Sequence, residues 1–394
     1  MINQTMMKLG NKRSVIRDIF EYGNQLRKEI GSENVFDFSI GNPNVPAPED
    51  VNKTIHHLLD TYDDTFVHGY TSAQGTEAVR SAVAKDLNER FGTSFHAGNF
   101  YMTCGAAASI KISLTALYTE GDEVIIFSPF FPEYTVFAET AGYKLVIVPS
   151  DLKTFQIDFA ALEAAITPST KCIIVNSPNN PTGVVYTEET IQKLADLMAK
   201  KSTEYGHPIY LMSDEPYREL VYDDIAVPYL TKYYLDTIVC YSYSKSLSLP
   251  GERIGFILVP DEMTNAKDVY AAVCGAGRAL GYICAPSVMQ HVITQVAGQV
   301  SDLSIYRKNR DLIYNALTEY GFTCIHPDGA FYLFMKSPEP DAIAFCEKAK
   351  QFHLLMVPAD SFGAPGFVRI SYCVSTDIIE RSLPGFRQLA ALYF

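Results

Sequence analysis

The chain has 394 residues, of which 47% are hydrophobic, and it has a formal net charge of -13 at pH 7. This length exceeds one ordinary domain, so we expect one large and one smaller domain around a sizeable buried core. The acidic balance argues against a nucleic-acid partner, because phosphate backbones require basic patches, and no apolar stretch reaches membrane-spanning length.

The cysteines and histidines indicate neither a disulfide framework nor a metal site. The eight cysteines are scattered, mostly within apolar runs, and none form a Cys-x-x-Cys pair, while the eight histidines show no metal-ligand spacing. Residues 1–8 lack the long apolar core and the small-residue cleavage site of a secretory signal. We therefore expect free thiols, no metal and a location in the reducing cytoplasm.

The first elements along the chain are a predicted helix over residues 14–30 and a short strand that leads into a turn rich in Gly, Asn and Pro. That turn is either a simple connector or a place where the amides of Gly41 and Asn42 meet a carboxylate. A loop at 68–75 then carries Tyr70 ahead of a second predicted helix. A tyrosine in such a loop more often packs than functions.

A third predicted helix begins with a glycine and three alanines at 105–108. These small residues leave the first amides of the helix uncovered. Such amides bind phosphate through their unpaired donors and the helix dipole. The observation is weak by itself, because alanine-rich helix starts are common.

From about residue 120 onwards, strands alternate with helices or loops. The predicted strands lie near 123–127, 144–149, 171–176, 208–213, 237–242 and 253–259. This alternation predicts an α/β fold with a mainly parallel central sheet that is covered by helices on both faces. The Gly-x-Gly-x-x-Gly fingerprint of nicotinamide cofactors is absent from the sequence.

Polar or aromatic side chains follow three of these strands, at the sheet edge where open α/β folds bind ligands. Phe131 follows the first strand and either packs or lies flat on a planar ligand. Asn180 follows the third strand within a run of turn residues whose X-Pro bonds are candidates for the cis form. Asp214 follows the fourth strand, where a buried carboxylate needs a partner such as a protonated ring nitrogen.

The stretch at 242–255 combines a lysine, several serines and an arginine. Lys245 stands among serines just after a predicted buried strand, and Arg253 follows a Pro-Gly turn. Loss of hydration lowers the pKa of a lysine and frees its amine for Schiff-base chemistry, while serine hydroxyls and an arginine can hold a phosphate. The competing interpretation is a lysine at a sheet edge beside an unrelated arginine.

Past about residue 290 the pattern changes to a long predicted helical stretch at 286–319, then short strands and a final helix from residue 376. The short strands are predicted near 322–325, 330–336, 354–357 and 367–372. Strand-rich sequence after an alternating region suggests a separate α+β domain. Within the last of these strands, Arg369 is either an arginine in an ion pair at the sheet rim or a carboxylate clamp.

Taken together, these stretches resemble the class I/II aminotransferases, the aspartate-aminotransferase-like enzymes of fold type I that use pyridoxal 5'-phosphate. The resemblance rests on the Ser-x-Ser-Lys and Gly-x-Arg-x-Gly pattern within 242–255, on Asn-Pro-Thr-Gly at 180–183, and on Asp214 followed three residues later by Tyr217. It covers about residues 36–394. The division that we expect is an N-terminal arm with part of the small domain at 1–45, a large cofactor-binding domain at 46–290 and a small C-terminal domain at 291–394.

The resemblance implies a role for each matching residue. Lys245 is similar to the Schiff-base lysine that also moves the proton between Cα and the cofactor, and Asp214 to the acid that keeps the pyridine nitrogen protonated. Phe131 matches the aromatic residue that stacks on the ring. The other residues match the donors to the ring 3'-oxygen (Asn180 and Tyr217), the phosphate cup (Gly105, Ala106, Ala107, Ser242 and Arg253) and the clamp for the substrate α-carboxylate (Arg369, with Gly41 and Asn180).

The resemblance also implies a homodimer with shared active sites, because Tyr70 resembles the tyrosine that the partner subunit lends to the phosphate. The departure from the family concerns the second carboxylate of the substrate. Aspartate enzymes carry a partner-subunit arginine shortly before a Tyr-Ser-Asn-Pro stretch. Arg278 is displaced from that position by one residue and is followed by a different sequence. Arg278 either reaches the pocket or is a surface residue.

Three functions compete. The first is an aminotransferase that moves the amino group of aspartate, or another dicarboxylic donor, to 2-oxoglutarate by ping-pong half-reactions. The second is a C–S β-lyase on the same fold. The third is a regulatory module that only senses a ligand, and the intact set of Lys245, Asp214 and Asn180 argues against it. We expect small-molecule amino acids and 2-oxo acids as substrates, and neither nucleic acid nor membrane as a partner.

Overall fold

The computed structural model describes residues 2–11 and 15–394. The helices, in chain order, are α1 (Gln4–Asn11), α2 (Val15–Ile30), α3 (Glu49–Thr61), α4 (Asp64–His68), α5 (Glu77–Phe91), α6 (Ala106–Leu117), α7 (Glu133–Ala141), α8 (Phe159–Ala165), α9 (Glu188–Tyr205), α10 (Tyr243–Ser246), α11 (Ala266–Ala279), α12 (Ser287–Val296), α13 (Ser304–Glu319), α14 (Ala342–Ala349) and α15 (Thr376–Ala390). The strands are β1 (Phe36–Asp37), β2 (Phe100–Thr103), β3 (Glu123–Ser128), β4 (Lys144–Pro149), β5 (Thr170–Asn176), β6 (Tyr210–Asp214), β7 (Thr237–Ser242), β8 (Gly255–Leu258), β9 (Cys324–Ile325), β10 (Tyr332–Lys336), β11 (Leu354–Leu355), β12 (Val357–Pro358) and β13 (Phe367–Ser371).

A seven-stranded sheet in the order β2-β8-β7-β6-β5-β3-β4 forms the centre of the larger part of the chain. Strands β3 to β7 run parallel, and β8 runs antiparallel to both of its neighbours. Along β3, Val124 and Ile126 pack with α6, α7 and α11, whereas Ile125 and Phe127 pack with α8 and α9. Successive side chains of a strand point to opposite faces, so both faces are apolar and covered. The predicted mainly parallel sheet between two helical layers is confirmed.

A second group of strands lies in the C-terminal part of the chain. Strands β12-β13-β10-β9 form an antiparallel sheet, against which α13, α14 and α15 pack through one apolar core. Strand β1 pairs in parallel with β11, with Phe36 opposite Leu354. We propose the division of the chain at residues 45 and 290, and the pairing of β1 with β11 supports placing the N-terminal segment with the small domain.

Three elements differ from the prediction. The helical stretch over 286–319 is two helices, α12 and α13, because Gly298 adopts φ +86° and the Ser301 amide donates to the Ser246 carbonyl at 2.8 Å. The strand near 354–357 is two short strands, since β11 pairs with β1 and β12 with β13. Strand β2 was not predicted, because its four residues form too short a run to indicate a strand by pattern alone.

Some local features bear on the sequence analysis. The peptide bonds Ser177–Pro178 and Asn180–Pro181 are cis, as expected for that run of turn residues. All eight cysteines are unpaired. Within residues 2–11 and 15–394, no helix has the length and apolar character to cross a bilayer, and no group of His, Cys, Asp and Glu side chains is arranged to hold a metal ion.

Candidate active site

The carboxyl ends of β5, β6 and β7 meet at one edge of the central sheet and border a cavity. Asn176 lies opposite Asp214 in the parallel register, and Asp214 lies opposite Cys240. The cavity has a volume of about 340 Å³ and lies between this edge and the β13 sheet. Most of the predicted site residues line it together: Gly41, Ala106, Ala107, Phe131, Asn180, Asp214, Tyr217, Ser242, Lys245, Arg253 and Arg369.

Lys245 lies in the short helix α10, directly after the buried strand β7. The Ser242 hydroxyl caps this helix by accepting the Ser244 backbone N–H at 3.3 Å, which fixes the turn at the sheet edge. The lysine Nζ donates to the Gly41 carbonyl at 2.7 Å and lies 5.4 Å from the centroid of the Phe331 ring. The amine is therefore held between the two sheets.

The surroundings of Lys245 change its protonation. Burial lowers the pKa of Lys245 to about 8. Cys373 opposes this shift of the lysine pKa, whereas the positive charges of Arg253 and Arg369 add to it. About half of the Lys245 amines are consequently uncharged at pH 8. The side chain can thus act as a nucleophile or as a base near neutral pH.

Asp214 ends β6 and is buried. Its Oδ2 accepts hydrogen bonds from the Tyr134 hydroxyl and, at 3.4 Å, from the Asn176 side chain, but its Oδ1 is buried without a partner. Burial raises the pKa of Asp214 to about 7, the Tyr134 hydrogen bond acts against this, and Glu215 adds to it. Buried oxygens without a donor are rare in folded proteins, so this one indicates a ligand with a proton to donate.

In the cofactor-free protein, the Asp214 carboxylate is expected to cost stability. Folding raises its pKa from 3.8 to about 7, so between these values the folded chain binds more protons and stability falls as the pH rises. We expect Asp214→Asn to raise the free energy of unfolding of the apoprotein by roughly 2–4 kcal/mol at pH 8, and by clearly less at pH 5. Urea titrations at the two pH values measure this difference.

The matched control for this charge removal is Asp60→Asn, on the exposed side of α3. It should change the free energy of unfolding by no more than about 0.5 kcal/mol, as is usual for surface positions. An Asp214→Asn gain that is equal at pH 5 and pH 8 would contradict the raised pKa.

One end of the cavity is rich in hydrogen-bond donors. The first turn of α6 borders the cavity there. The Ser242 and Ser244 hydroxyls lie 2.8 Å apart, and Arg253 Nη1 donates to the Ser244 hydroxyl at 3.4 Å. Gly105 has φ +93°, and a Cβ at this position would lie 3.1 Å from Arg253 Nη2, so glycine lets the helix start approach the arginine. A helix N-terminus, two hydroxyls and a guanidinium fit a phosphate group.

Arg369 lies in the middle of β13 and is buried. Its Nη1 donates to Asn180 Oδ1 at 3.1 Å and its Nη2 donates to the Ser39 carbonyl at 2.6 Å, while Nε is buried without a partner. The Tyr332 and Phe362 ring centroids lie 4.6 and 4.9 Å from the guanidinium carbon. Burial lowers the pKa of Arg369, and no carboxylate of the described chain contributes to its pKa. A carboxylate that enters the cavity would supply the missing counter-charge.

Tyr217, Phe131 and Asn180 complete the cavity wall. The Tyr217 hydroxyl is buried and lies 2.9 Å from the Tyr332 hydroxyl. The Phe131 ring meets the edge of the Tyr134 ring, with centroids 5.7 Å apart. Asn180 follows β5, and its side-chain carbonyl accepts the hydrogen bond from Arg369 Nη1. The cavity is thus lined by an aromatic ring and by polar groups, a combination that suits a flat heterocycle.

Tyr70 and Arg278 lie outside the cavity of their own chain. Tyr70 is 100% exposed. Arg278 is exposed in the last turn of α11. A single chain therefore does not bring these two predicted residues to the site, whereas Gly105 adjoins the cavity through its contact with Arg253.

Several side chains of the site were not predicted as site residues, among them Asn176, Tyr134, Ser244 and Tyr332. Ser244 belongs to the Ser-x-Ser-Lys pattern, and its position in one short turn with Ser242 could have predicted it. Tyr134 and Tyr332 reach the site from α7 and β10. No local spacing indicates these contacts, because they depend on how distant elements pack.

The donor set fits pyridoxal 5'-phosphate. The buried Asp214 Oδ1 and Arg369 Nε, which have no partner in the chain, would each gain one from a protonated ring and a substrate carboxylate. Lys245 lines the same cavity, and the donors at the start of α6 suit the phosphate.

Comparison with known proteins gives the family. The model for aminotransferase class I and II matches residues 33–383. The crystal structure of an aminotransferase from Eubacterium rectale superposes with a TM-score of 0.98 at 56% identity, covering 100% of this chain and 99% of that chain. The aspartate aminotransferase of Thermus thermophilus with maleate gives a TM-score of 0.84 at 26% identity, over 99% of this chain and 100% of that chain.

A curated relative agrees with these structures. A probable aspartate aminotransferase from Methanocaldococcus jannaschii is 30% identical over 381 residues, which cover 94% of this chain and 96% of that protein. These relatives do not favour the β-lyase alternative. The chain belongs to the class I and II aminotransferases, transaminases of fold type I that depend on pyridoxal 5'-phosphate.

Proposed function

We propose that the enzyme moves the amino group of a dicarboxylic L-amino acid, such as aspartate, to a 2-oxo acid, such as 2-oxoglutarate, in two ping-pong half-reactions. The proposal rests on one observation: the Lys245 amine, the unpartnered Asp214 oxygen and the Arg369 guanidinium share one cavity. The relative from M. jannaschii is named a probable aspartate aminotransferase and that from T. thermophilus an aspartate aminotransferase, which supports aspartate as the donor.

Pyridoxal 5'-phosphate supplies, when bound, an aldehyde that joins the amino group and a protonated ring that accepts the electron pair released at Cα. The amides at 105–107, the Ser242 hydroxyl and Arg253 would hold the phosphate. Asp214 would keep a proton on the ring nitrogen through its free Oδ1, which gives the buried carboxylate a counter-charge.

The ring itself would be held from three sides. Asn180 and Tyr217 would donate to its 3'-oxygen, and Phe131 would pack on its face. Both donors belong to turns or strand ends that are fixed by buried hydrogen bonds, Asn180 to Arg369 and Tyr217 to Tyr332. Because these two donors are already held in place, they would need little rearrangement to bind the ring.

Lys245 is the proposed base that would remove the proton from Cα and deliver it to the C4' carbon of the cofactor. Its pKa of about 8 leaves free base near neutral pH. Arg369, with the Gly41 amide, would orient the substrate by its α-carboxylate. Ile16 and Ile40 line the same cavity and would exclude water from the reacting atoms.

The proposed assembly is a homodimer in which each subunit lends Tyr70 to the phosphate and Arg278 to the second carboxylate in the partner's site. Both residues are exposed in the single chain and lie outside its own cavity. Just beyond Arg278, the apolar side chains of Leu280, Tyr282 and Ile283 are 36%, 38% and 48% exposed. Neighbouring exposed apolar side chains of this kind are typical of protein interfaces.

The proposed location is the cytoplasm. All eight cysteines are unpaired in the structure, which supports a reducing compartment.

A half-reaction screen tests the proposed function. The loaded enzyme is mixed with single amino acids in the absence of any 2-oxo acid, and its visible absorbance is followed. We expect aspartate or glutamate to convert the yellow form to the pyridoxamine form once, and 2-oxoglutarate to restore it. Release of pyruvate from cystathionine without a 2-oxo acid would instead support the lyase and contradict the proposal.

In the same screen, Arg278→Ala is expected to lower the second-order rate constant of the half-reaction with aspartate by roughly 30-fold or more, because the pair with the second carboxylate is lost. Apolar amino acids lack that carboxylate and should be spared. Lys267→Ala removes an exposed charge at the start of the same helix and serves as the control. Equal losses for both classes of substrate would show that Arg278 is structural, and the dicarboxylate proposal would fall.

A further inference from the structure

One buried hydroxyl of the cavity wall, that of Tyr332, contacts neither the cofactor nor the substrate in the mechanism above. Tyr332 begins β10, the strand next to β13. Its Oη lies 2.9 Å from Tyr217 Oη, and its ring centroid lies 4.6 Å from the guanidinium carbon of Arg369. Gly41 packs against this hydroxyl so closely that a Cβ at residue 41 would collide with it. The hydroxyl is thus held in one place between the two sheets.

The direction of the bond between the two tyrosines determines whether Tyr217 has a proton left for a ligand. Each hydroxyl has one proton to donate and can also accept. Among residues 2–11 and 15–394, the Tyr217 hydroxyl is the hydrogen-bond partner found for the Tyr332 hydroxyl. If Tyr217 donated to Tyr332, it would keep no proton for a ligand. If Tyr332 donates, its own proton is satisfied and that of Tyr217 is free to point into the cavity.

We propose that Tyr332 is a positioning residue that donates to Tyr217 and so directs the Tyr217 proton to the 3'-oxygen of the bound pyridine ring. The inference rests on the function proposed above for its premise that Tyr217 contacts this oxygen. A hydroxyl that accepts one hydrogen bond donates a second more strongly, because bonds in a chain polarise one another. Both side chains are buried, so water does not compete for these protons.

The ionisation of the pair leaves both hydroxyl protons in place. Burial raises the pKa of Tyr217 well above its ordinary value and raises that of Tyr332 to about 12. Both phenols therefore stay protonated near neutral pH and remain able to donate.

The test is Tyr332→Phe, which removes the hydroxyl and keeps the ring beside Arg369. The readout is a pH titration of the visible absorbance of the cofactor-loaded enzyme. It gives the pKa of the bound chromophore, which hydrogen-bond donors to the 3'-oxygen are expected to keep low. We expect Tyr332→Phe to raise this pKa by roughly half a unit to one unit, the effect of one lost hydrogen bond between neutral groups. Tyr217→Phe should raise it by more.

The double variant separates an indirect from a direct effect. Because Tyr332 acts through Tyr217, the double variant should match Tyr217→Phe alone. The matched control is Tyr222→Phe, a buried tyrosine of the same apolar core that donates to the Ala330 carbonyl and does not line the cavity. It should leave the chromophore pKa unchanged.

Two results would overturn the inference: an unchanged pKa in Tyr332→Phe, or a double variant whose shift is the sum of the two single shifts. An unchanged pKa in Tyr217→Phe would instead overturn the role proposed for Tyr217 itself, so the two failures can be told apart.

Discussion

Replacing Lys245 by alanine is expected to lower kcat by about 10⁴-fold while the cofactor remains bound without a covalent link. One positioned acid–base group contributes ~10²–10⁴-fold, and we expect the upper end because the same amine also reacts with the aldehyde. The groups proposed to hold the phosphate and the ring nitrogen, among them Arg253 and Asp214, remain in the cavity. The measurements are kcat, the visible spectrum and the cofactor content after gel filtration.

Lys111→Ala is the control for loss of a partly buried lysine. Lys111 lies in α6, donates to the Thr140 hydroxyl at 2.8 Å and does not line the cavity. Burial lowers the pKa of Lys111, as it lowers the pKa of Lys245. This variant should keep its turnover. A Lys245→Ala enzyme that lost all colour and yet kept its turnover would contradict the assignment.

The burial that shifts the pKa values of Asp214 and Lys245 also destabilises the folded protein when no cofactor is bound. Asp214, with a pKa of about 7, destabilises the folded state most above that pH, because the carboxylate is then ionised in a buried place. Lys245, with a pKa of about 8, destabilises it most below that pH, where the amine is charged. Between these two pKa values, the ionised Asp214 and the charged Lys245 both destabilise the folded state to nearly their full extent. Cofactor binding near neutral pH would therefore offset two unfavourable buried charges, as expected of a site shaped for a ligand.

The part of the site that follows strand ends could be predicted from the sequence. Lys245, Asp214 and Asn180 each follow a buried apolar run, and parallel strands bring their carboxyl ends to one edge. Arg369 could be predicted because a charged residue within an apolar strand needs a partner. In each case, one local pattern and one rule about sheets were sufficient.

The rest depended on packing between distant parts of the chain. The bond from Tyr134 to Asp214 joins α7 to β6, and the bond between Tyr217 and Tyr332 joins residues far apart in sequence. The break between α12 and α13 depended on the backbone of Gly298, which a hydrophobic pattern does not reveal. Local periodicity contains no information about such contacts.

Arg369→Ala is expected to lower kcat/KM for amino acids by about 30- to 5,000-fold, equivalent to ~2–5 kcal/mol, because the substrate carboxylate would lose its buried counter-charge. The free Nε and the absence of a paired carboxylate in the described chain support the proposal that this guanidinium binds an incoming anion. Arg369→Lys should recover part of the loss, since an ammonium keeps the charge but lacks the planar fork. Steady-state kinetics with aspartate and with an apolar amino acid should show the loss for both, because both have an α-carboxylate.

Arg310→Ala separates the clamp from the general effect of removing a buried arginine. Arg310 is buried in the same part of the chain, but it pairs with Asp223 and Asp311 and does not line the cavity. Its loss should reduce stability, because Asp223 and Asp311 lose their closest cationic partner, and leave kcat/KM nearly unchanged. If Arg369→Ala and Arg310→Ala lowered kcat/KM equally, or if Arg369→Ala left it unchanged, Arg369 would be a structural arginine at the sheet rim and the substrate would have to be held elsewhere.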